Sequence, residues 1–250
     1  MDQSTSPQWH RIEVGPERML SRRIGGATLS FGLGPAAPAA AAEERVDAVT
    51  AALAPGVCAV HWARQVHGRQ LLLVSGGEDP GGGGRCMGAG DGLVTRQPGI
   101  ALAVWTADCV PVLLVAEGAI AAVHAGWRGT AAGIVEAAVL RLHALAGGAR
   151  SAVHAAIGPA VGPCHYPVGG EVVQALTSGN VDGQLWHADG RVDLRALVCG
   201  RLAALGVTQV ELVGGCTACD PELASYRRDG DQAGRNLSLV YLEHDHRGGE

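Results

Sequence analysis

The sequence predicts an α+β fold of mixed β-sheets packed together with flanking helices. Three observations carry this prediction. Short apolar runs rich in β-branched residues recur along the chain and outnumber the helical patterns. Several arrive as hairpins, joined by tight turns such as Gly25–Gly26 and Glu117–Gly118. A regular alternation of strand and helix, the mark of a parallel α/β sheet, is absent. With 250 residues and no internal repeat, a single domain is expected over residues 19–242. A flexible N-terminal end at 1–18 and a frayed tail at 243–250 would flank it.

The elements follow in order. LSRRIGGATLSFGLGP, from residue 19, reads as a strand, a glycine turn and a second short strand. PAAPAAAAEER is low in complexity and leads into a helix from about Ala42 to Leu53, ended by Pro55 and Gly56. Val57–His61 and Gln70–Val74 are strand candidates on either side of RQVHG. GGEDPGGGGRCMGAG is too dense in glycine for a regular element and is expected as a flexible loop at the rim of a site. Residues 100–105, 112–116 and 119–124 read as strands. Thr130 is placed to cap a helix running to Leu145 and closed by Gly147–Gly148. Ala152–Ile157, Thr208–Val213 and Asn236–Leu242 read as strands, Gly169–Leu176 and Leu194–Leu205 as helices.

Composition bounds the function. At 47% hydrophobic and 17% charged, the chain can bury a sizeable core. A net charge of −5 argues against a dedicated nucleic-acid binder. Every basic residue other than histidine is an arginine. The seven cysteines are odd in number and irregularly spaced, which suits reduced thiols and a cytoplasmic location better than a disulfide framework. The start, MDQSTSPQWHRIEVG, lacks the basic and apolar stretches of a signal peptide. The most apolar stretch, 100–127, is interrupted by Asp108, Pro111 and Glu117, so no membrane span is expected.

The chemistry concentrates in three strand-end positions: His67 in RQVHG, Cys109 in TADCVP and His124 in VHAGW. Two imidazoles and a thiolate form a ligand set suited to zinc, with a fourth position left for water or substrate. The set spans 58 positions, so spacing alone favours three ordinary buried polar residues with satisfied hydrogen bonds over a metal site. Asp108 precedes Cys109 and points to the opposite face if both lie on a strand, which suits an orienting group or a hydrogen-bond acceptor for a neighbouring backbone better than a fourth ligand; acceptance of a ligating histidine's free N–H is a further role open to it. The lone CxxC, Cys216–Cys219, reads as incidental thiols. His244–Asp245–His246 is an HxH in the tail. Arg228 in SYRRDG, Arg23 before Gly25–Gly26 and Arg128 in HAGWRG are candidate phosphate holders, with solvated turns as the alternative. The glycines of HAGWRG would let a small anionic or sugar-bearing substrate come close.

Taken together, RQVHG, DGLVT, TADCVPVLL, VHAGWRGTAAG, IGPAVGPCHYPVG and SYRRDG followed by GR resemble, in sequence and order, one family. It has been called multicopper polyphenol oxidase or laccase-domain protein and peptidoglycan editing factor, and is described as a zinc-dependent purine nucleoside phosphorylase. The resemblance covers roughly residues 20–242. It implies that His67, Cys109 and His124 bind zinc, and that the fold is similar to putative cysteine hydrolases of the cytotoxic-necrotizing-factor type. It further implies phosphorolysis of adenosine, inosine and methylthioadenosine to free base and ribose 1-phosphate, with adenosine deamination as a second activity. The implied partners are nucleoside and phosphate, without nucleic acid or membrane. One departure is visible: SFGLG places Gly32 where the family has an asparagine.

Three rival readings stand beside this one. A multicopper oxidase needs about ten histidines in HxH pairs and blue-copper sites, whereas this chain has ten in all and one such pair. A single His₂Cys site could still take copper in vitro. A metal-free hydrolase or amidase acting on cell-wall precursors would use Cys109 as nucleophile and His124 as base. A non-enzymatic partner of cell-wall enzymes would not need Cys109.

Overall fold

The computed structural model describes residues 8–14, 17–32, 42–53, 56–75, 84–148, 152–177 and 186–243. In chain order the elements begin with strands β1 (His10–Val14), β2 (Glu17–Ile24) and β3 (Ala27–Gly32), then helix α1 (Ala42–Leu53). Strands β4 (Ala59–Arg64), β5 (Leu71–Val74), β6 (Arg85–Ala89), β7 (Gly92–Thr95), β8 (Ile100–Thr106), β9 (Val110–Ala116) and β10 (Ala119–Ala125) follow. Next come α2 (Trp127–Ala131), α3 (Ile134–Leu145), β11 (His154–Ile157) and α4 (Gly170–Thr177). The last are β12 (His187–Ala188), β13 (Arg191–Val192), α5 (Leu194–Ala204), β14 (Gln209–Leu212), α6 (Tyr226–Asp229) and β15 (Asn236–Leu242).

Two sheets dominate. One has seven strands in the order β1-β2-β3-β15-β8-β4-β6, the other six in the order β14-β11-β9-β10-β7-β5. Both mix parallel and antiparallel pairs: β4 runs parallel to β6 and β8, while β15 is antiparallel to β3 and β8. This is the α+β arrangement of mixed sheets that the scattered hairpins predict.

The sheets pack face to face with helices outside. Leu29, Phe31, Leu102 and Val240 of the larger sheet meet Leu93, Leu113, Val115 and Ile120 of the smaller in one buried cluster. The far side of the smaller sheet is covered by Ile134, Val135, Ala138 and Leu142 of α3 and by Leu197, Val198 and Leu202 of α5. The far side of the larger sheet is covered by Val46 and Val49 of α1. Strand β9 shows why its run is continuously apolar. Val112 and Leu114 face the helices while Leu113 and Val115 face the opposing sheet, so both faces are dry.

Three expectations change. The N-terminal end is not loose through residue 18, because β1 pairs antiparallel with β2, Ile12 opposite Met19. Val14 and Met19 enter the core under α1, and that burial anchors the strand. Within the glycine-rich stretch, residues 76–83 lie outside the described residues, but Arg85–Ala89 forms β6. Parallel pairing with β4 and the packing of Met87 against the inter-sheet core override the local glycine content. Finally, Thr130 does not cap a long helix. It is buried inside α2, and Gly133, at φ 86°, breaks the path before α3 begins. The proposed linker from 35 to 41 and the tail from 244, with its HxH, lie outside the described residues.

The departure at Gly32 has a packing cause. A Cβ there would lie 2.8 Å from the backbone oxygen and 3.2 Å from the backbone nitrogen of Leu237 on β15. The Gly32→Asn variant is therefore expected to lose on the order of 1–3 kcal/mol of stability through overpacking. Its melting temperature reads the effect, and an unchanged value would show that β3 can move aside.

Candidate functional site

A cavity of about 670 Å³ opens where the carboxyl ends of β4, β8 and β10 meet. His67, Cys109 and His124 lie on its wall, and their ligand atoms fall within 4.8 Å of one another. The His67 and His124 rings meet edge to face at 4.8 Å between centroids. Each side chain arrives from a different element: His67 from the turn after β4, Cys109 from the β8–β9 connection, His124 from the end of β10.

One buried carboxylate organises the group. Asp91, fully buried just before β7, lies 2.9 Å from His124 Nδ1 through its Oδ1. It also accepts the backbone N–H groups of Val66, His67 and Gly68 at 3.1, 2.8 and 2.7 Å. These three bonds hold the RQVHG turn, in which His67 takes the left-handed conformation at φ 59°. Fixing Nδ1 of His124 leaves Nε2 for the cavity, the usual arrangement for a metal-binding imidazole. Burial pushes the Asp91 carboxyl up, but the His124 and backbone hydrogen bonds outweigh it and hold the group below the usual carboxylate range. Burial likewise raises the Cys109 thiol, yet hydrogen bonds to His124 and His67 bring it down to about 6. Burial lowers His124, while Asp91 and Cys109 together lift it to about 9. The pocket thus stabilises a thiolate among imidazoles, a donor set of the softness zinc favours.

The glycines of HAGWRG serve the protein's own packing. A Cβ on Gly126 would sit 3.0 Å from both Cys109 Sγ and His67 Cδ2, so any side chain would crowd the donors. A Cβ on Gly129 would meet the Gly68 carbonyl at 2.7 Å, where α2 lies on the His67 turn. The glycines thus have a packing role that stands beside the expectation that they admit substrate.

Asp108 is the orienting, backbone-accepting group the sequence suggests, while the further role of accepting a histidine's N–H falls to another residue. It sits at φ 82°, buried, with both carboxylate oxygens taken. Thr217 Oγ1 donates to Oδ1 and the Arg227 backbone N–H to Oδ2, each at 2.6 Å. It therefore pins the 217–227 segment to the Cys109 loop, and the histidine's carboxylate is Asp91. The DGLVT stretch carried that residue, but only the pairing of β7 with β10, Gly92 opposite Val123, brings it to His124.

The arginines sort sharply. Arg45, Arg64, Arg128, Arg227 and Arg235 line the cavity. Arg128 stacks over Trp127 at 4.3 Å, and Arg227 over Tyr166 at 4.9 Å. Arg23 does not reach the cavity; it pairs with Glu243 at 2.7 Å on the far end of β2. Arg228 is also turned away. Its guanidinium donates to the carbonyls of Thr217, Asp220 and Leu223 and to the Asp229 carboxylate, clamping a loop. Neighbours on α6 point about 100° apart, so the neighbouring arginine of SYRRDG is the one that faces the site. Trp105 lines the same cavity, and its buried indole N–H has no hydrogen-bond partner among the described residues.

The comparisons with known proteins agree with one another. Residues 24–243 match the family described as multi-copper polyphenol oxidoreductase laccase. A purine nucleoside phosphorylase of Mycobacterium tuberculosis is 36% identical over 243 residues, spanning 93% of this chain and 94% of its own. The purine nucleoside phosphorylase YfiH of Escherichia coli is 35% identical over 250 residues, spanning 94% and 97%. The crystal structure of Bacillus licheniformis YfiH superposes with a TM-score of 0.78 at 25% identity, covering 91% of this chain and 97% of that one. A match over most of the length and a shared architecture place this chain in the laccase-domain, YfiH-like family of multi-copper polyphenol oxidoreductases.

Proposed function

We propose that the protein is a metal-dependent purine nucleoside phosphorylase. In this reading it cleaves the N-glycosidic bond of adenosine, inosine or methylthioadenosine with phosphate, giving base and ribose 1-phosphate. Adenosine deamination would be a second activity. The observation that carries the reading is a His₂Cys donor set on the wall of a cavity lined by five arginines. Relatives over nearly the whole length bear the phosphorylase name. Zinc is the metal proposed, and a cytoplasmic location goes with the reduced thiols. A divalent ion bound by these residues would supply Lewis-acid chemistry with one corner open to a substrate group.

The chain's own residues divide the remaining work. Arg227 and Arg128, each resting on an aromatic face, present flat forks to a phosphate dianion. Trp127 and Tyr166 offer apolar surface to a purine or ribose. Trp105 offers an unused indole N–H. Asp91 keeps His124 in the tautomer that faces the cavity. Asp108 holds the Arg227 backbone in place, so that anion and metal sites share one frame. The cationic lining, in a chain of net charge −5, concentrates an anionic co-substrate at this one cavity.

A second reading is favoured by one observation, the thiolate–imidazolium tendency of Cys109 and His124. Together with Asp91 they form a Cys–His–Asp line that would serve a hydrolase. That reading leaves the second imidazole, His67, without a task. Iodoacetamide separates the two: a free nucleophile is alkylated quickly, a metal-bound thiolate slowly.

Four sets of variants test the proposal. Replacing His67, Cys109 or His124 by Ala should reduce phosphorolysis to background and remove metal from the cavity. Incubation with a nucleoside panel, with and without phosphate, followed by mass analysis of products checks it. Full turnover in any of the three would remove that residue from the chemistry. Asp91→Asn should leave a folded protein whose metal affinity or activity falls roughly 10–100-fold. Arg227→Ala should raise KM for phosphate by about tenfold or more, with little change in KM for nucleoside. Arg228→Ala, by contrast, should lower the melting temperature through the loop it clamps, and a reversal of the two phenotypes would reassign them.

A further inference from the structure

A second set of donor atoms converges outside the cavity. Cys164 and His165 lie in a short 3-10 turn, Pro163–His165, before α4. Cys216 and Cys219 lie in the turn that follows β14. The sequence offered only the CxxC, because its two companions are about fifty positions upstream. In the fold all four ligand atoms fall within 4.8 Å of one another. Cys164 Sγ and Cys219 Sγ are 3.6 Å apart. His165 Nδ1 lies 3.3 Å from Cys164 Sγ, 3.5 Å from Cys219 Sγ and 3.8 Å from Cys216 Sγ.

These separations have a simple geometric meaning. A tetrahedron around zinc, with the usual metal–sulfur and metal–nitrogen bonds, has edges of about 3.8 Å between sulfurs and about 3.5 Å between sulfur and nitrogen. The measured distances scatter around those edges. Four protein donors occupy all four corners, whereas the catalytic cavity supplies three. We infer that Cys164, His165, Cys216 and Cys219 form a closed, structural Cys₃His zinc site, separate from the His67–Cys109–His124 group.

The surroundings suit such a site. The Gly162 N–H donates to Cys216 Sγ at 3.2 Å, a bond that stabilises thiolate charge. A Cβ on Gly162 would sit 3.2 Å from the Cβ of Cys216 and 3.5 Å from Cys164 Sγ, so glycine lets the two loops close together. Arg191 donates to the carbonyls of Pro163 and Cys164 at 3.1 and 2.8 Å, fixing the turn from the other side. Cys219 and Asp220 both direct their N–H groups to the Cys216 carbonyl at 3.2 Å, folding the CTAC segment into a compact knuckle.

The site also has something to hold. The residue after His165 is Tyr166, on which Arg227 stacks. The residue after Cys216 is Thr217, which donates to Asp108 beside Cys109. A metal joining the two loops would therefore brace one wall of the cavity without offering an open corner for chemistry.

The test uses the full chain purified anaerobically without added metal. Metal analysis of Cys109→Ala should still find one zinc per chain, and Cys109→Ala combined with Cys216→Ser and Cys219→Ser should find none. This outcome is independent of whether the catalytic cavity holds metal. Loss of all zinc in Cys109→Ala alone would overturn the proposal. Wild-type protein provides a second reading that needs no variant. Alkylation of Cys164, Cys216 and Cys219, mapped by peptide mass, should be about tenfold or more slower before chelation than after it. The exposed Cys58 and Cys86 should react equally in both states. Equal labelling of all five, or a Cys164–Cys219 disulfide in the fresh protein, would show a thiol pair and no metal.

Discussion

The carboxylate of Asp91 is the point on which the site depends. It is fully buried, and its burial is tolerable only because one imidazole and three backbone N–H groups converge on it. Those same contacts fix the turn that carries His67 and the tautomer of His124. A single charge thus orients two of the three cavity donors, and the third, Cys109, is brought toward thiolate by the imidazoles so placed. Removing the charge while keeping the shape would leave the fold largely intact and the donors unaligned. Neutral asparagine is therefore more informative at this position than alanine.

The sheets explain why the site lies where it does. Strands β8, β9 and β10 are dry on both faces, so their interiors cannot carry polar chemistry. Function is pushed to their ends, where the chain leaves the sheet and backbone geometry is freer. His67 and Asp108 show this in their positive φ values, conformations a side chain adopts only where neighbouring bonds compel it. At Asp108 the compelling bonds come from Thr217 and Arg227; at His67 they come from Asp91.

Beyond the donors, the cavity is an electrostatic device. Five arginines line it in a protein of net negative charge, and three of them, Arg45, Arg128 and Arg227, rest on aromatic rings. Under the proposed function, such a lining would suit a substrate with a charged end and a planar end. The loops bearing Cys164 and Cys216 reach this cavity through neighbouring residues, Tyr166 in its lining and Thr217 on Asp108.

Much was legible from the sequence alone. Alternating and continuous apolar runs mark β3, β8, β9, β10 and β15 because local patterning reports which faces are buried. The residue types His, Cys and His at glycine-flanked strand ends marked the donors, and the α+β class followed from strands arriving as hairpins. What only the tertiary structure decided is which distant segments meet. Asp91 displaced Asp108 as the histidine's carboxylate because β7 lies beside β10. The arginine of SYRRDG that faces the cavity is Arg227, not Arg228, because one helical step turns a side chain by about 100°. Strand β6 formed from a glycine-rich segment because a neighbouring strand was there to pair with it. Cys164 and His165 joined an unremarkable CxxC because β11 and β14 run side by side and deliver their following loops to the same place. Periodicity along a chain records solvent exposure, whereas convergence across it depends on strand order, and strand order is a property of the assembled sheets.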